Sequence, residues 1–149
     1  MTEKPKSRKK SQASISERSK RIILIMSKLM NKIKGISNAS PEKRYKNFIS
    51  TAADREEVWL LENEDGYATW DDARGTIRLI VYPTQEDAEM FAENDKPVSI
   101  EIKSFLHRCV DQLEDTEIGF LVYPNGTDGY AVSTDQMIKD LVDSLMQYA

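Results

Sequence analysis

The sequence predicts an α+β fold, in which helices pack on a mixed or antiparallel sheet behind a basic N-terminal extension. Amphipathic helical periods alternate with short β-rich runs through residues 40–149, which is the pattern of helices layered on a sheet. The chain has 149 residues, 40% of them hydrophobic, and this length suits one domain with a core of its own. We therefore divide the chain into an extension, residues 1–39, and a single domain, residues 40–149.

Charge is distributed unevenly along the chain, with a change of sign near Lys46. Residues 1–46 carry 14 Lys and Arg against 3 acids, a net charge of +11, whereas the rest carries 7 basic and 22 acidic residues, a net charge of −15. Opposite charges on two parts of one chain attract each other or recruit charged partners, more strongly at low salt. The charge asymmetry therefore predicts that the extension takes part in binding.

The extension contains a polar tail and a basic helix. Residues 1–14 have almost nothing to bury, so we expect disorder there. Residues 16–34 have a helical period, with Arg21, Lys28 and Lys32 on a flank about 100° from the apolar stripe. That stripe consists of Ile22, Met26, Leu29, Ile33 and Ile36. Gly35 and the polar residues that follow are expected to end this helix.

The first half of the domain is predicted as a helix and three strands. Ser40 and Pro41 form a helix start, because serine caps a free backbone N–H and proline loses nothing at the first helical position. An apolar period follows at Tyr45, Phe48, Ile49 and Ala52. The three strands are residues 58–61, 67–70 and 76–82, and the continuous apolar end of the third predicts a central strand.

The second half is predicted to continue as helix, strand, helix, two strands and helix. Thr84 caps the first helix, and the alternation of Val98, Ile100 and Ile102 predicts a strand. A helix then carries Leu106, Cys109, Val110 and Leu113, and residues 120–123 and 130–132 form a second hairpin. Ser133 caps the last helix. The predicted domain order is α-βββ-α-β-α-ββ-α.

The inventory of catalytic and metal-ligating residues is thin. His107 is the only histidine, and Cys109 points to another face of the same helix, so the two form no dyad. We expect His107 to lie in solvent near Asp111 and Cys109 to be buried. The acidic residues of the first hairpin do not have calcium-loop spacing, which favours a solvated loop. We predict no enzyme activity, no cofactor and no metal.

Aromatic residues supply the other candidates for a binding surface. They fall on predicted strands, where aromatic side chains usually pack in the core or across strands. Because alternate residues of a hairpin face outward, Trp59 and Trp70 are candidate partner contacts. The other candidate partner contacts are Arg21, Lys28 and Lys32 of the basic helix.

Short motifs along most of the domain resemble the bacterial family called domain of unknown function 2750. They include Arg44-Tyr45 and Phe48, Glu57-Val58-Trp59 before Asp65-Gly66, Val81-Tyr82-Pro83, Phe105-Leu106, Val122-Tyr123-Pro124, and Gly129 before Val132-Ser133. At Tyr82-Pro83 the family pattern would have tryptophan before the proline. The resemblance implies no established activity, and it does not cover the extension.

We interpret the chain as a cytoplasmic, non-enzymatic protein-binding or regulatory module. A toxin-immunity-type inhibitor, whose acidic face masks a basic partner, is the alternative. A second alternative is association of residues 16–34 with an anionic membrane surface, or less favourably with nucleic acid, because aromatic residues are not interleaved with the basic ones. Docking of the basic helix on the acidic domain of its own or a neighbouring chain also stays open.

Overall fold

The computed structural model describes residues 17–147, with side chains for residues 17–26 and 35–147. The predicted disorder of residues 1–14 lies outside the described residues. The chain forms two compact units that divide between Lys32 and Ile33. The domain start that the sequence suggests at Ser40 stays a prediction.

Helix α1 spans Glu17–Ser37. The helix does not end at Gly35, because it continues to Ser37, the first residue of the polar stretch that was expected to end it with Gly35. Ile36 packs against the core of the domain and Ser37 is only 5% exposed. A glycine costs a helix about 1 kcal/mol relative to alanine, and these packing contacts are enough to carry the helix past it.

The described part of the domain has four further helices and seven strands. The helices are α2 (Pro41–Arg55), α3 (Gln85–Phe91), α4 (Ile102–Arg108), which continues as a π-helical turn (Cys109–Leu113), and α5 (Thr134–Met146). The strands are β1 (Glu57–Asn63), β2 (Gly66–Tyr67), β3 (Thr69–Asp71), β4 (Ile77–Tyr82), β5 (Lys96–Glu101), β6 (Gly119–Val122) and β7 (Tyr130–Ser133). The α+β class is confirmed.

The sheet is mixed. Strand β4 is parallel to β6, whereas β1 with β4, β1 with β5, and β6 with β7 are antiparallel pairs. Trp59 of β1 pairs with Tyr82 of β4 and with Ser99 of β5, so these two strands flank β1 on opposite edges. The central position predicted for β4 is confirmed, because β1 and β3 pair with one of its edges and β6 pairs with the other.

Two strand predictions need correction. The predicted strand 67–70 is divided at Ala68, whose N–H donates to Leu61 of β1 and whose carbonyl accepts from Ile80 of β4. Ala68 therefore lies where the chain crosses from one neighbouring strand to the other. Ile102 begins α4 instead of ending a strand, because the Glu101 side chain caps the helix by accepting from Ser104 N–H.

The predicted helix starts are confirmed. Ser40 accepts from the N–H of Lys43, Thr84 from that of Asp87, and Ser133 from that of Gln136. Such a cap is worth about 1 kcal/mol. These three caps fix where α2, α3 and α5 begin, and so position the faces that those helices turn toward the sheet.

The core lies between the helices and the sheet. Its largest fully buried apolar side chains come from α2, α4, α5, β4, β6 and the segment after β6, and each adds about 1.5–3 kcal/mol by leaving water. They include Phe48, Tyr82, Ile102, Phe120, Tyr123, Met137 and Leu141. One fully buried side chain is charged: Arg44 is 1% exposed.

Candidate functional site

The described part of α1 presents consecutive apolar side chains to solvent. Residues 22–26 are each between 49% and 59% exposed. Arg21 precedes them and is also exposed, and Lys20 pairs with Glu17 at 3.5 Å. Lys28 and Lys32 lie in α1 as the sequence predicts, but their side chains fall outside the described residues. The apolar surface is thus wider here than a single stripe.

The two tryptophans that the sequence singled out lie on one face of the sheet. Trp59 is opposite Tyr82 and Trp70 is opposite Arg78, and alternate residues of β4 share a face. Trp59 is half-buried, packs against the core and donates its indole N–H to Glu57. Trp70 is 47% exposed, so of the two it is the one available to a partner.

Arg44 is the centre of a buried polar cluster that the sequence reasoning did not single out as a site. Its Nη1 donates to the carbonyl oxygens of Ser37 at 3.2 Å and Ala39 at 2.9 Å. Its Nη2 donates to the carbonyl oxygen of Asp128 at 3.1 Å and pairs with the Asp128 carboxylate. Asn125 adds a bond from Nδ2 to the Ser37 carbonyl at 2.6 Å. The cluster fastens the segment after α1 to the β6–β7 loop.

A signal for this cluster was present in the sequence. Arg44 precedes Phe48 by four residues, and residues four apart share a helix face. The helical period therefore puts the guanidinium on the buried side of α2, where a charge needs partners. What the sequence could not show is that these partners are backbone carbonyls and a residue 84 positions away.

A second buried polar group lies beneath α3. The hydroxyl of Tyr123 donates to Oδ1 of Asp87 at 2.5 Å, and Thr84 donates to Oδ2 at 2.7 Å. Burial raises the pKa of Asp87 above its ordinary value, although both hydrogen bonds act in the opposite direction. Burial together with Asp87 raises the pKa of Tyr123 as well, so the phenol stays a donor. Asp87 is 5% exposed, and both oxygens of its carboxylate accept hydrogen bonds within the domain.

A groove runs between α2 and α5. Its volume is about 550 Å³, and its wall includes Tyr45, Ile49 and Tyr130. The rings of Tyr45 and Tyr130 stack with centroids 4.5 Å apart and an angle of 22° between planes. The Tyr45 hydroxyl donates to Oδ2 of Asp140 at 2.5 Å. Two helices and one strand thus build a wall whose aromatic part is fixed by both stacking and a hydrogen bond.

The groove is acidic at its rim. Glu42, Asp140 and Asp143 line it, and Lys46 is the one cation among its lining residues. Gln136 donates to Oδ1 of Asp140 at 2.8 Å, so both oxygens of this carboxylate are oriented by neutral donors. Burial and Asp140 both raise the pKa of the Tyr45 hydroxyl, which keeps it protonated as a donor. The groove therefore presents net negative charge beside apolar and aromatic surface.

His107 and Cys109 lie as the sequence predicts. His107 Nε2 is 2.9 Å from Asp111 Oδ2, and the two side chains are 77% and 55% exposed. Cys109 is 1% exposed, and burial raises the pKa of its thiol to about 12. The structure does not bring the two together as a nucleophile and its base. The prediction that neither is catalytic stays a prediction.

A family model described as protein of unknown function (DUF2750) matches residues 45–141, which is more than half of the chain. The chain belongs to this family. The DUF2750 match runs from Tyr45 on α2 to Leu141 on α5, and so includes residues of both groove helices. The sequence resemblance is confirmed over this range.

Other comparisons add no relative. No curated protein and no solved structure matches this DUF2750 chain. Helix α1 precedes the matched range, whereas Trp59, Trp70, Asp87 and Tyr123 lie inside it. Among the described helices, none is long and apolar enough to cross a membrane.

Proposed function

We propose that this protein is a non-enzymatic protein-binding module and that α1 makes its main contact. The observation that carries the proposal is the exposed apolar run of residues 22–26, each between 49% and 59% exposed. Successive residues of an α-helix are about 100° apart. Five consecutive apolar residues therefore encircle the helix, and we call residues 22–26 the apolar girdle.

Because the apolar girdle encircles the helix, a partner has to shield it from water on all sides. A helix that is apolar all round is normally buried in a protein core or in a membrane, and large exposed apolar patches mark interaction sites. Among the described helices none can span a membrane, which favours a protein partner. A partner that supplies one or two helices could enclose the girdle as the core of a helical bundle does.

The non-enzymatic part of the proposal rests on the chemistry of the described side chains. His107 is exposed and paired with Asp111, and the Cys109 thiol is buried. Asp87 is engaged by Tyr123 and Thr84. These are arrangements that maintain structure. We place the module in the cytoplasm, where a lone reduced cysteine is ordinary.

Affinity capture with matched variants tests the proposal. Ile23→Gln with Ile25→Gln replaces two of the five girdle residues while keeping helix propensity, because glutamine is at least as good a helix former as isoleucine. Val142→Gln with Met146→Gln changes two exposed apolar residues of α5 as a control. We expect the full chain and the control to retain one protein from cell extract and the girdle variant to lose it. Equal capture by all three would contradict a contact through α1.

Peripheral membrane binding is the second candidate. Arg18, Lys20 and Arg21 are exposed directly before the girdle, and basic residues beside apolar ones favour anionic lipid. An interfacial helix has one apolar and one strongly polar face, however, and the girdle does not fit that pattern. Co-sedimentation with vesicles containing phosphatidylserine separates the candidates, because a lipid-binding helix would bring the protein down and release it as salt rises.

A further inference from the structure

The groove between α2 and α5 shares no lining residue with the apolar girdle of α1. We propose that this groove binds a basic segment of a partner protein, whose lysine or arginine side chains lie along the stacked tyrosines and reach the carboxylates at the rim. The proposal rests on contacts within the domain. It does not depend on the function proposed for α1.

Charge selects the occupant. The groove lining has three carboxylates, Glu42, Asp140 and Asp143, against one ammonium, that of Lys46. Asp143 Oδ2 is also 3.0 Å from Lys139, in a pair whose side chains are 68% and 59% exposed. Exposed pairs of this kind contribute little and exchange partners readily. A net negative groove repels phosphate groups, which excludes anionic lipid and nucleic acid as occupants and favours a cationic one.

The aromatic wall favours a side chain with a long apolar stem. Tyr45 is 8% exposed and is held by Tyr130 and Asp140. Ile49, one turn further along α2, is half-buried at the same groove. Lysine and arginine lay their methylene stems on such surfaces and keep the charged end at the rim, where tyrosine rings also attract cations. The side chains of Tyr45 and Asp140 are already oriented in the unbound protein. Binding therefore costs little of their conformational entropy.

The shape of the groove favours a segment of protein over a free small cation. Two helices form its long walls, and recognition of a peptide in a groove between helices uses apolar anchors with charged contacts at the edge. The lining combines both kinds of contact along about two turns of each helix, from Glu42 to Ser50 on α2 and from Asp140 to the end of α5. A small diamine would use only part of it.

The test is a fluorescence anisotropy titration of the full chain with a labelled amphipathic peptide of lysine and leucine. A peptide with glutamate in place of lysine is the ligand control. Glu42→Lys with Asp143→Lys changes the groove, and Glu62→Lys with Glu64→Lys makes the same change in net charge at exposed residues in and just after β1. Circular dichroism confirms that each variant is folded.

We expect the groove variant to weaken binding of the lysine peptide at least tenfold and the control to weaken it less than twofold, with the glutamate peptide not bound. Tyr130→Leu, which keeps every charge, should weaken binding about threefold or more through loss of the aromatic wall. Equal losses in the two charge variants would mean that only overall charge matters and would overturn the proposal. Absence of binding, or full displacement by equimolar spermidine, would overturn it too.

Discussion

Arg44 of α2 and Asp128 of the β6–β7 loop form an ion pair across 84 residues of sequence. The Arg44 side chain is 1% exposed and that of Asp128 is 49% exposed, so the pair connects the interior with the surface. The same guanidinium holds the carbonyls of Ser37 and Ala39. One side chain therefore links the end of α1, the start of α2 and a distant loop.

Replacing Arg44 should be costly. Arg44→Leu removes hydrogen bonds from a charged donor to three carbonyls. We expect the free energy of unfolding to fall by at least about 3 kcal/mol, since bonds to charged groups contribute about 1.5–3 kcal/mol each. Lys43→Leu, an exposed neighbour on α2, should stay within about 0.5 kcal/mol of the parent chain. Urea denaturation measures both. If the two variants were equally stable, the cluster would not hold the fold together.

Truncation tests where the domain begins. A chain that starts at Ser40 loses the Ser37 and Ala39 acceptors of Arg44, but it also loses the segment that carries them, so water takes their place at the guanidinium. The caps and the core of the domain are kept. We expect it to fold, with its thermal midpoint within about 8 °C of the full chain, the shift that corresponds to roughly 1–2 kcal/mol in a domain of this size. A chain that starts at Ile33 keeps those acceptors and should melt close to the full chain. A larger collapse of the shorter chain would place the boundary before Ser40.

The raised pKa of Asp87 predicts how the free energy of unfolding depends on pH. Burial raises the pKa of its carboxyl above the ordinary 3.8, so the folded state holds the proton more tightly than the unfolded state. Its stabilising contribution is therefore complete below about pH 3.8 and is lost as the pH rises through the folded pKa. Asn at this position cannot titrate. The stability of Asp87→Asn relative to the parent chain should thus increase from about pH 3.5 to 7, measured by urea denaturation, and the opposite slope would refute this reading of the site.

Cys109 should be inert in the native protein. Its thiol is 1% exposed, and burial raises its pKa to about 12. Because the thiolate is the reactive form, we expect a disulfide reagent at neutral pH to modify Cys109 only after guanidinium chloride unfolds the chain. Prompt reaction of the folded protein would show that the helix bearing Cys109 opens readily.

Local signals in the sequence predicted much of the fold. Ser40, Thr84 and Ser133 cap helices as expected, because a cap depends on residues within one turn. Ile102 was misassigned because it continues the apolar alternation of β5, and its N–H still donates to the carbonyl of Glu56 beside β1 at 2.9 Å, although α4 begins at this residue. The cap that starts α4 is local, from Glu101 to Ser104, but a glutamate at this position is a weaker cap signal than the serine and threonine of the other helices.

The candidate surfaces were harder to predict for the same reason. The basic helix was visible as a period of apolar and charged residues, but the groove was not. Tyr45, Tyr130 and Asp140 meet only because the sheet brings α2 and α5 together, and Tyr45 and Asp140 are 95 residues apart. In the sequence, each of the three has the local pattern of an ordinary helix or strand residue.

The central claim is that the apolar girdle of α1 is covered by another protein. The most direct measurement places a photo-crosslinking amino acid at Leu24, which is 54% exposed, in the full chain expressed in cells. The same amino acid at Glu64, an exposed position in the turn after β1, is the control. We predict a discrete protein adduct from position 24 that the control does not form. Adducts with lipid alone, or identical products from both positions, would contradict the claim.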